Sequence, residues 1–452
     1  STTRWQRLSF AGPLSTAPLS PSRLPPALRY PAYRSFWLGM LASVSGFQML
    51  RFGQFWLIFE ITESPLSLGW IGLANGVPAI VLNLFGGVAA DRIDQRRMVM
   101  ISQFIIAMMI FFLATITLLG LVNQWHLITI AFLAGAVEAF DQPARRVLFP
   151  QLVDRKDLMS AVAMNAAIWP GTRILAPAIA GVIIAVSSSA ANFYVAGIGF
   201  LVMAVVTFRL RLPPLVKTSQ TRPIHDILEG LHFIRKDTTF TFLIAMTFFS
   251  SFFGMAYIPL MPMITVDVLG VGAKEQGMIL GAGGGGSLIT ALWFGTRSNS
   301  GAKGMLIIGG GIMSGLMVAT FAITAGIFKS VPLAMTLMVV LSVFNTLANT
   351  ASQSSLQLLV PNHIRGRVMG FYGMTYNIRP LGGLQASALA NIGAIGAPIS
   401  IAIGGLAVAA FPIIAMLANK KVRNLGGELR QAEAEVIAAS RSRAPTSTTA
   451  SG

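Results

Sequence analysis

The sequence predicts an all-α membrane protein with twelve transmembrane helices in two pseudo-symmetric six-helix halves. Three observations predict it. Of 452 residues, 54% are hydrophobic and only 11% are charged, with a mean hydropathy of +0.69; no water-soluble core holds so large an apolar share. The apolar runs are continuous rather than alternating and exceed the roughly 20 residues needed to cross about 30 Å of hydrocarbon, which excludes a β-barrel. Six runs precede and six follow a single long polar interruption, Arg209 to Thr239.

In chain order, residues 1–34 are basic and rich in Ser and Pro but lack the apolar segment of a cleaved signal. They read as a disordered cytoplasmic tail. The expected spans of the first half (35–212) are Phe36–Glu60, Leu66–Ala90, Met98–Leu121, Leu127–Val147, Leu158–Val186 and Asn192–Leu212. Those of the second half (240–420) are Phe240–Val266, Gln276–Gly295, Met305–Phe328, Val331–Gln353, Val368–Ala390 and Ile395–Asn419. The linker, 213–239, spaces Ile224, Ile227, Leu228, Leu231 and Ile234 three and four apart, the stripe of an amphipathic helix lying on the inner membrane surface. A second tail, 421–452, ends in a Ser, Thr and Ala stretch without periodicity.

Charge distribution supports the layout. All but five of the 33 lysines and arginines fall in the tails, the linker and the connections on one side. Lys274 and Lys329 lie on the other side, and Arg51, Arg173 and Arg379 lie inside spans. The positive-inside rule places both termini and the linker in the cytoplasm. The +17 net charge follows this topology and calls for no nucleic-acid partner. Two echoes relate the halves: Pro150 and Pro361 after the fourth and tenth spans, and Ala176–Gly181 and Arg379–Gly383 in the fifth and eleventh.

Chemistry of other classes is thinly represented. Cysteine is absent, which removes disulfides, thiolate metal sites and thiol nucleophiles. None of the four histidines lies deep in a span, and a solvated helix face accounts for His225, Glu229 and His232. No metal, cofactor or enzymatic activity is expected.

Five ionisable residues fall within spans: Arg51, Glu138, Asp141, Arg173 and Arg379. Each costs about 2.5–3.5 kcal/mol at the bilayer centre, so each requires a partner or a wet cavity. Glu138, flanked by Arg51 and Arg173, is the candidate proton carrier; the alternative is a set of structural ion pairs. Asp141 suits an ion pair with Arg92, Arg96 or Arg145. Trp169, Phe249, Phe253 and Tyr257 are packing residues or the apolar wall of a substrate pocket. Gly281 to Gly286 holds five glycines in six positions, which predicts a close helix crossing or a bend.

The connection after the second span, Gly87-Val-Ala-Ala-Asp91-Arg92-Ile-Asp94-Gln-Arg96-Arg97, resembles the signature loop of the major facilitator superfamily. Ile61-Thr-Glu-Ser-Pro65, Pro143-Ala-Arg145 and Pro150-Gln-Leu-Val153 resemble its enterobactin-exporter-like branch, and lysophospholipid transporters are similar too. The resemblance implies a conformational latch, with Asp91 meeting the start of the eleventh span near Gly366 and Arg367, and with Arg92, Arg96 and Arg97 meeting Asp141. Pro177 and Gly181 stand in a helix 5 antiporter-like motif that has lost two glycines to alanine. Arg379, Pro380 and Gly383 form its counterpart in the eleventh span. The second-half loop, Gly295–Lys303, has lost its acid.

Together these readings lead to a secondary transporter, acting as a monomer in the inner membrane of a bacterium. It would export an amphiphilic small molecule, siderophore- or drug-like, by alternating access driven by proton entry. The competing reading is a transporter of lysophospholipid or another lipid-like substrate, and a non-transporting receptor on the same fold is the more distant rival.

Overall fold

The computed structural model describes residues 25–210, 231–235, 237–296, 303–361 and 364–442 of the chain, with the side chains of 83–92, 295–296, 432–433 and 436–442 outside that description. Twelve spans are present as helices. The first six are Pro31–Thr62, Pro65–Arg92, Gln95–Leu118, Gln124–Leu148, the pair Leu158–Ala166 and Ile168–Val186, and Ser189–Arg209. The seventh runs from Thr238–Phe249 through Tyr257–Met263, and the eighth to tenth are Ala273–Thr296, Lys303–Phe328 and Val331–Leu359. The eleventh is the pair Arg365–Asn377 and Arg379–Ala390, and the twelfth is Gly396–Ala418.

Local sequence sets where these helices begin and end. Asp94 caps the third span, accepting from the backbone N–H of Arg96 at 2.9 Å and of Arg97 at 3.3 Å. Asn123 and His126 form a reciprocal capping box at the start of the fourth. Glu63, left-handed at φ 48°, ends the first span, and Pro65 opens the second. The fifth and eleventh spans are each broken once, after Ala166 and after Asn377. These two spans are equivalent in the two halves, so the break belongs to the repeat itself. The seventh is interrupted by π-helical turns at Ser250–Gly254 and Ile264–Val268.

Among the described residues, ten spans are long and apolar enough to cross a membrane, and the first and eleventh are not among them. The reason is polar content: Gln48, Arg51 and Gln54 in the first span, and Tyr372, Tyr376, Asn377 and Arg379 in the eleventh. The two least apolar spans supply two of the arginines of the site described below.

The ordered chain extends beyond the boundaries read from sequence. The expected tail boundary at 34 falls inside the first helix, and residues 26–29 already form a 3-10 turn. This end is strapped to the connection between the fourth and fifth spans. The Tyr30 hydroxyl donates to Asp157 Oδ2 (2.7 Å) and Asp154 Oδ2 (2.9 Å), Tyr33 to the Ala161 carbonyl (2.8 Å) and Trp37 Nε1 to the Met164 carbonyl (3.0 Å). In the expected C-terminal tail a helix spans Leu425–Ser442, with Val422, Leu425 and Leu429 buried against the second half. Most of the expected linker helix lies outside the described residues; 231–235 are helical and Ile234 is buried.

Among the described residues, the two halves share an apolar core at one end of their length. At the end distant from the chain termini, one apolar cluster runs through both halves, joining Ile58, Leu68 and Ile71 to Tyr257, Leu260 and Met261. At the end bearing the termini the core is divided, with Tyr33, Phe36 and Leu148 in a cluster of the first half and Phe242, Leu356 and Tyr372 in a separate cluster of the second. The distal joint consists of two crossings. The fifth span lies against the eighth, where a Cβ on Gly281 would come within 2.7 Å of the Ile174 carbonyl and one on Gly284 within 2.7 Å of the Arg173 carbonyl. The second lies against the eleventh, where a Cβ on Gly69 would stand 2.8 Å from Ser387 Cβ. Small residues permit both approaches. The five-in-six glycine run is therefore a crossing point.

Candidate functional site

Above the distal joint, side chains from five spans converge. Glu138, on the fourth span, accepts from Gln142 Nε2 one turn later at 3.4 Å and lies within electrostatic reach of Arg51. The Arg51 guanidinium sits 4.8 Å from the centre of the Phe47 ring, and Phe47 in turn meets Trp169 edge-on at 5.7 Å. Trp169 also lines a cavity of about 230 Å³ towards the terminal end, with Met40, Val44, Gln142 and Asn165. From the second half, Arg379 stands 4.8 Å over the Tyr376 ring, and the Tyr376 hydroxyl is 2.9 Å from that of Tyr372. Arg379 lies within electrostatic reach of Arg173, Arg51 and Tyr257, and Tyr257 within reach of Arg173. Three arginines and one carboxylate thus share one neighbourhood.

Cation–π contact is worth about 0.5–2 kcal/mol, against about 2.5–3.5 kcal/mol for an arginine at the bilayer centre. The rings therefore offset only part of the cost of Arg51 and Arg379. The rest requires water or a counter-ion between the halves.

Asp141 has a different setting. It is 3% exposed and forms an i,i+4 ion pair with Arg145 at 2.5 Å. Arg145 Nη2 donates to Ser43 Oγ at 2.9 Å, and Ser43 donates to Gln103 Oε1 at 2.7 Å. Although three residues apart on one helix, Glu138 faces Arg51 and Asp141 faces this network of the first and third spans.

The expected latch is only partly within view. The second span continues as helix to Arg92, and the side chains of Gly87, Asp91 and Arg92 lie outside the described residues. Arg96 does not pair with Asp141: its Nε donates to the Thr207 carbonyl at 3.0 Å and its Nη2 to that of Phe208, capping the end of the sixth span. Arg97 is exposed and reaches its neighbour Asp94 at 3.8 Å. A local arginine one turn away is available to Asp141 in every conformation, and that explains the difference. The second-half loop, 297–302, lies outside the described residues.

The motif residues of the fifth and eleventh spans serve the distal joint. Pro177 presents its carbonyl to Gly277, and Gly181 approaches the carbonyl of Ala273. Pro380 packs on Gly76 and Gly383 on Pro259. Of the aromatic pocket candidates, Trp169 and Tyr257 belong to the site. Phe249 is stacked on Phe411 at 4.2 Å, and Phe253 follows it at 5.5 Å, in an aromatic stack between the seventh and twelfth spans. Sequence reasoning missed Phe47, Tyr372 and Tyr376. Two tyrosines one helical turn apart, just before an intramembrane arginine in a weakly apolar span, were the available signal.

A family model described as a transmembrane secretion effector of the major facilitator superfamily matches residues 21–448. The chain belongs to that family. It is 24% identical over 388 residues to the staphyloferrin A transporter of Staphylococcus aureus (strain NCTC 8325 / PS 47), covering 82% of this chain and 92% of that one. It is 22% identical over 379 residues to the enterobactin exporter EntS of Shigella boydii serotype 18 (strain CDC 3083-94 / BS512), covering 82% and 88%. Its fold matches the crystal structure of a bacterial homologue of the human lysosomal transporter Spinster, inward-facing and unoccupied, with TM-score 0.63, 14% identity and coverage of 88% and 98%. The chain is accordingly an integral membrane transporter of small molecules with the major facilitator fold, and not an enzyme.

Proposed function

We propose that the protein is a proton-coupled exporter of an amphiphilic small molecule, working by alternating access as a monomer in the inner membrane, with both termini cytoplasmic. The observation that carries this reading is Glu138, an acid set against Arg51 between two halves whose described apolar core is shared at one end and divided at the other. With the termini inside, that space faces the cytoplasm, the side from which an exporter loads. The names of two relatives, a siderophore transporter and a siderophore exporter, agree with this direction and substrate size.

A gradient drives movement only if the proton binds the two access states unequally. Glu138 supplies such a difference because the second half covers it in one access state and uncovers it in the other, while Arg51, in the same half, stays beside it throughout. The loop from Gly87 to Arg97 is proposed as the latch that holds the other access state, with Asp91 directed at the second half.

In proteoliposomes with an imposed pH gradient, the wild-type protein is expected to accumulate an amphiphilic xanthene dye, fluorescein or rhodamine 6G, against its gradient. Glu138→Gln should abolish accumulation while leaving dye counterflow in place. Undiminished proton-driven accumulation in the variant would remove Glu138 from the coupling role.

A further inference from the structure

Where an arginine of this protein has a structural task, the fold gives it a partner. Arg145 has Asp141 and Ser43, and Arg96 has two helix-end carbonyls. The three arginines between the halves are treated otherwise. Ion pairs among the described residues include Arg97–Asp94, Arg145–Asp141 and Lys156–Asp154, and Arg51, Arg173 and Arg379 belong to none of these. The Nε atoms of Arg51 and Arg379, like that of Arg145, are buried without a hydrogen-bond partner, but only Arg145 has a carboxylate in ion-pair range. Glu138 answers the charges of Arg51 and Arg145, and no carboxylate acts on Arg379, which feels Arg173 as a like charge from the opposite half.

Arg173 belongs to the first half and Arg379 to the second, and Tyr257 lies within electrostatic reach of both. A buried cation pair of this kind is stable only with an anion between its members. Apolar and aromatic surface lies alongside in Phe47 and Trp169, with the 230 Å³ cavity beyond.

We propose that the space between the halves is a binding site for an amphiphilic anion carrying two acidic groups, held by Arg173 and Arg379 from opposite halves. This rests on the transporter reading and names its substrate class. The planar guanidinium fork suits carboxylate-like oxygens, and Tyr257 adds a neutral donor. Because the two arginines belong to different halves, the anion removes the repulsion that holds the halves apart and favours their approach over it. A cation finds no acid here beyond the one already facing Arg51.

Two dyes of similar frame and opposite charge test the site: fluorescein, a dianion near neutral pH, and rhodamine 6G, a cation. By fluorescence anisotropy with the detergent-purified full chain, fluorescein should bind more tightly than rhodamine 6G. Arg173→Gln and Arg379→Gln should each weaken fluorescein at least tenfold, and Arg379→Lys should weaken it less than Arg379→Gln. Each Gln variant should melt at a higher temperature than the wild type when empty, and fluorescein should raise the melting temperature of the wild type but not of the variants. Preference for rhodamine 6G, unchanged fluorescein affinity in both Gln variants, or a lower melting temperature in both would overturn the anion site. Fluorescein uptake into proteoliposomes undiminished by either substitution would also reject it while leaving the transporter intact; fluorescein binding without any dye uptake would keep the anion site and reject export.

Discussion

Glu138 and Asp141 show how three residues of separation on one helix divide two roles. Asp141 and Arg145 form a closed pair inside the first half, so losing the acid strands a buried guanidinium at a cost of about 3–5 kcal/mol. Asp141→Asn is expected to lower the midpoint of thermal unfolding in detergent, and Asp141→Asn with Arg145→Gln to recover most of the loss; a double variant no better than the single one would show that the pair is not the reason. Tyr30 allows a pH test outside the membrane. Its hydrogen bond to Asp157, with burial and the charge of Asp154 as lesser causes, pushes the phenol pKa up from 10.0. A folded-state pKa above the unfolded one means the strap is fully formed below pH about 10 and is lost only as pH rises beyond it. The stability difference between wild type and Tyr30→Phe should therefore hold steady from about pH 6 to 9 and shrink above about 10.

At this scale the intramembrane charges were legible, because each is expensive enough to announce itself. Arg51, Glu138 and Arg379 stand where a run of apolar residues makes any charge conspicuous. The partner of Asp141 was not legible, since Arg92, Arg96 and Arg145 are equally arginines in a sequence, and only the bend of the chain sends Arg96 to the sixth span. Phe249 could be read as packing or as pocket wall, because an aromatic stripe packs as well on a neighbouring helix as on a ligand, and it stacks on Phe411. Tyr372 and Tyr376 were passed over because a tyrosine in a span attracts no notice until its hydroxyl has a partner.

Among the elements, the eighth span shows what a glycine run accomplishes when it meets a backbone. Gly277, Gly281 and Gly284 each face a carbonyl of the fifth span, so a branched side chain there must part the helices. Gly281→Leu is expected to cost about 1–3 kcal/mol by overpacking and to disfavour the state in which the distal end is shut. The chain has no native cysteine, so a single Ser387→Cys, at a position 0% exposed beside Gly69 of the other half, reports that closure. A membrane-impermeant maleimide should label it slowly in the resting protein and faster when Gly281→Leu is added. Rapid labelling of the resting protein would place the joint elsewhere. The twelve helices themselves were legible from apolar length, and the glycine run pointed to a crossing. What lay across from it was not, because a contact between the fifth and eighth spans leaves no trace in either one alone.

For the whole molecule, the two crossings are images of one another. The second and eighth spans are equivalent in the two halves, as are the fifth and eleventh, so exchanging the halves turns one crossing into the other. The joint is thus made of one contact used twice. The arginines depart from this symmetry: Arg173 and Arg379 occupy corresponding spans, whereas Arg51 and Glu138 belong to the first half alone. The proposed proton carrier is thus one-sided and the proposed anion clamp two-sided.

The strap at the start of the first span bears on how the protein is made. Ala27, Tyr30, Tyr33 and Trp37 bind residues 124–133 positions further along the chain. Whatever the ribosome has released by then, these four residues have nothing to hold until the fourth span has crossed and the fifth has begun. The first span therefore spends the early part of synthesis anchored by its hydrophobicity alone, and that is weakened by Gln48, Arg51 and Gln54. Polar residues that the finished fold buries are a liability during insertion, and docking of the strap ends that interval.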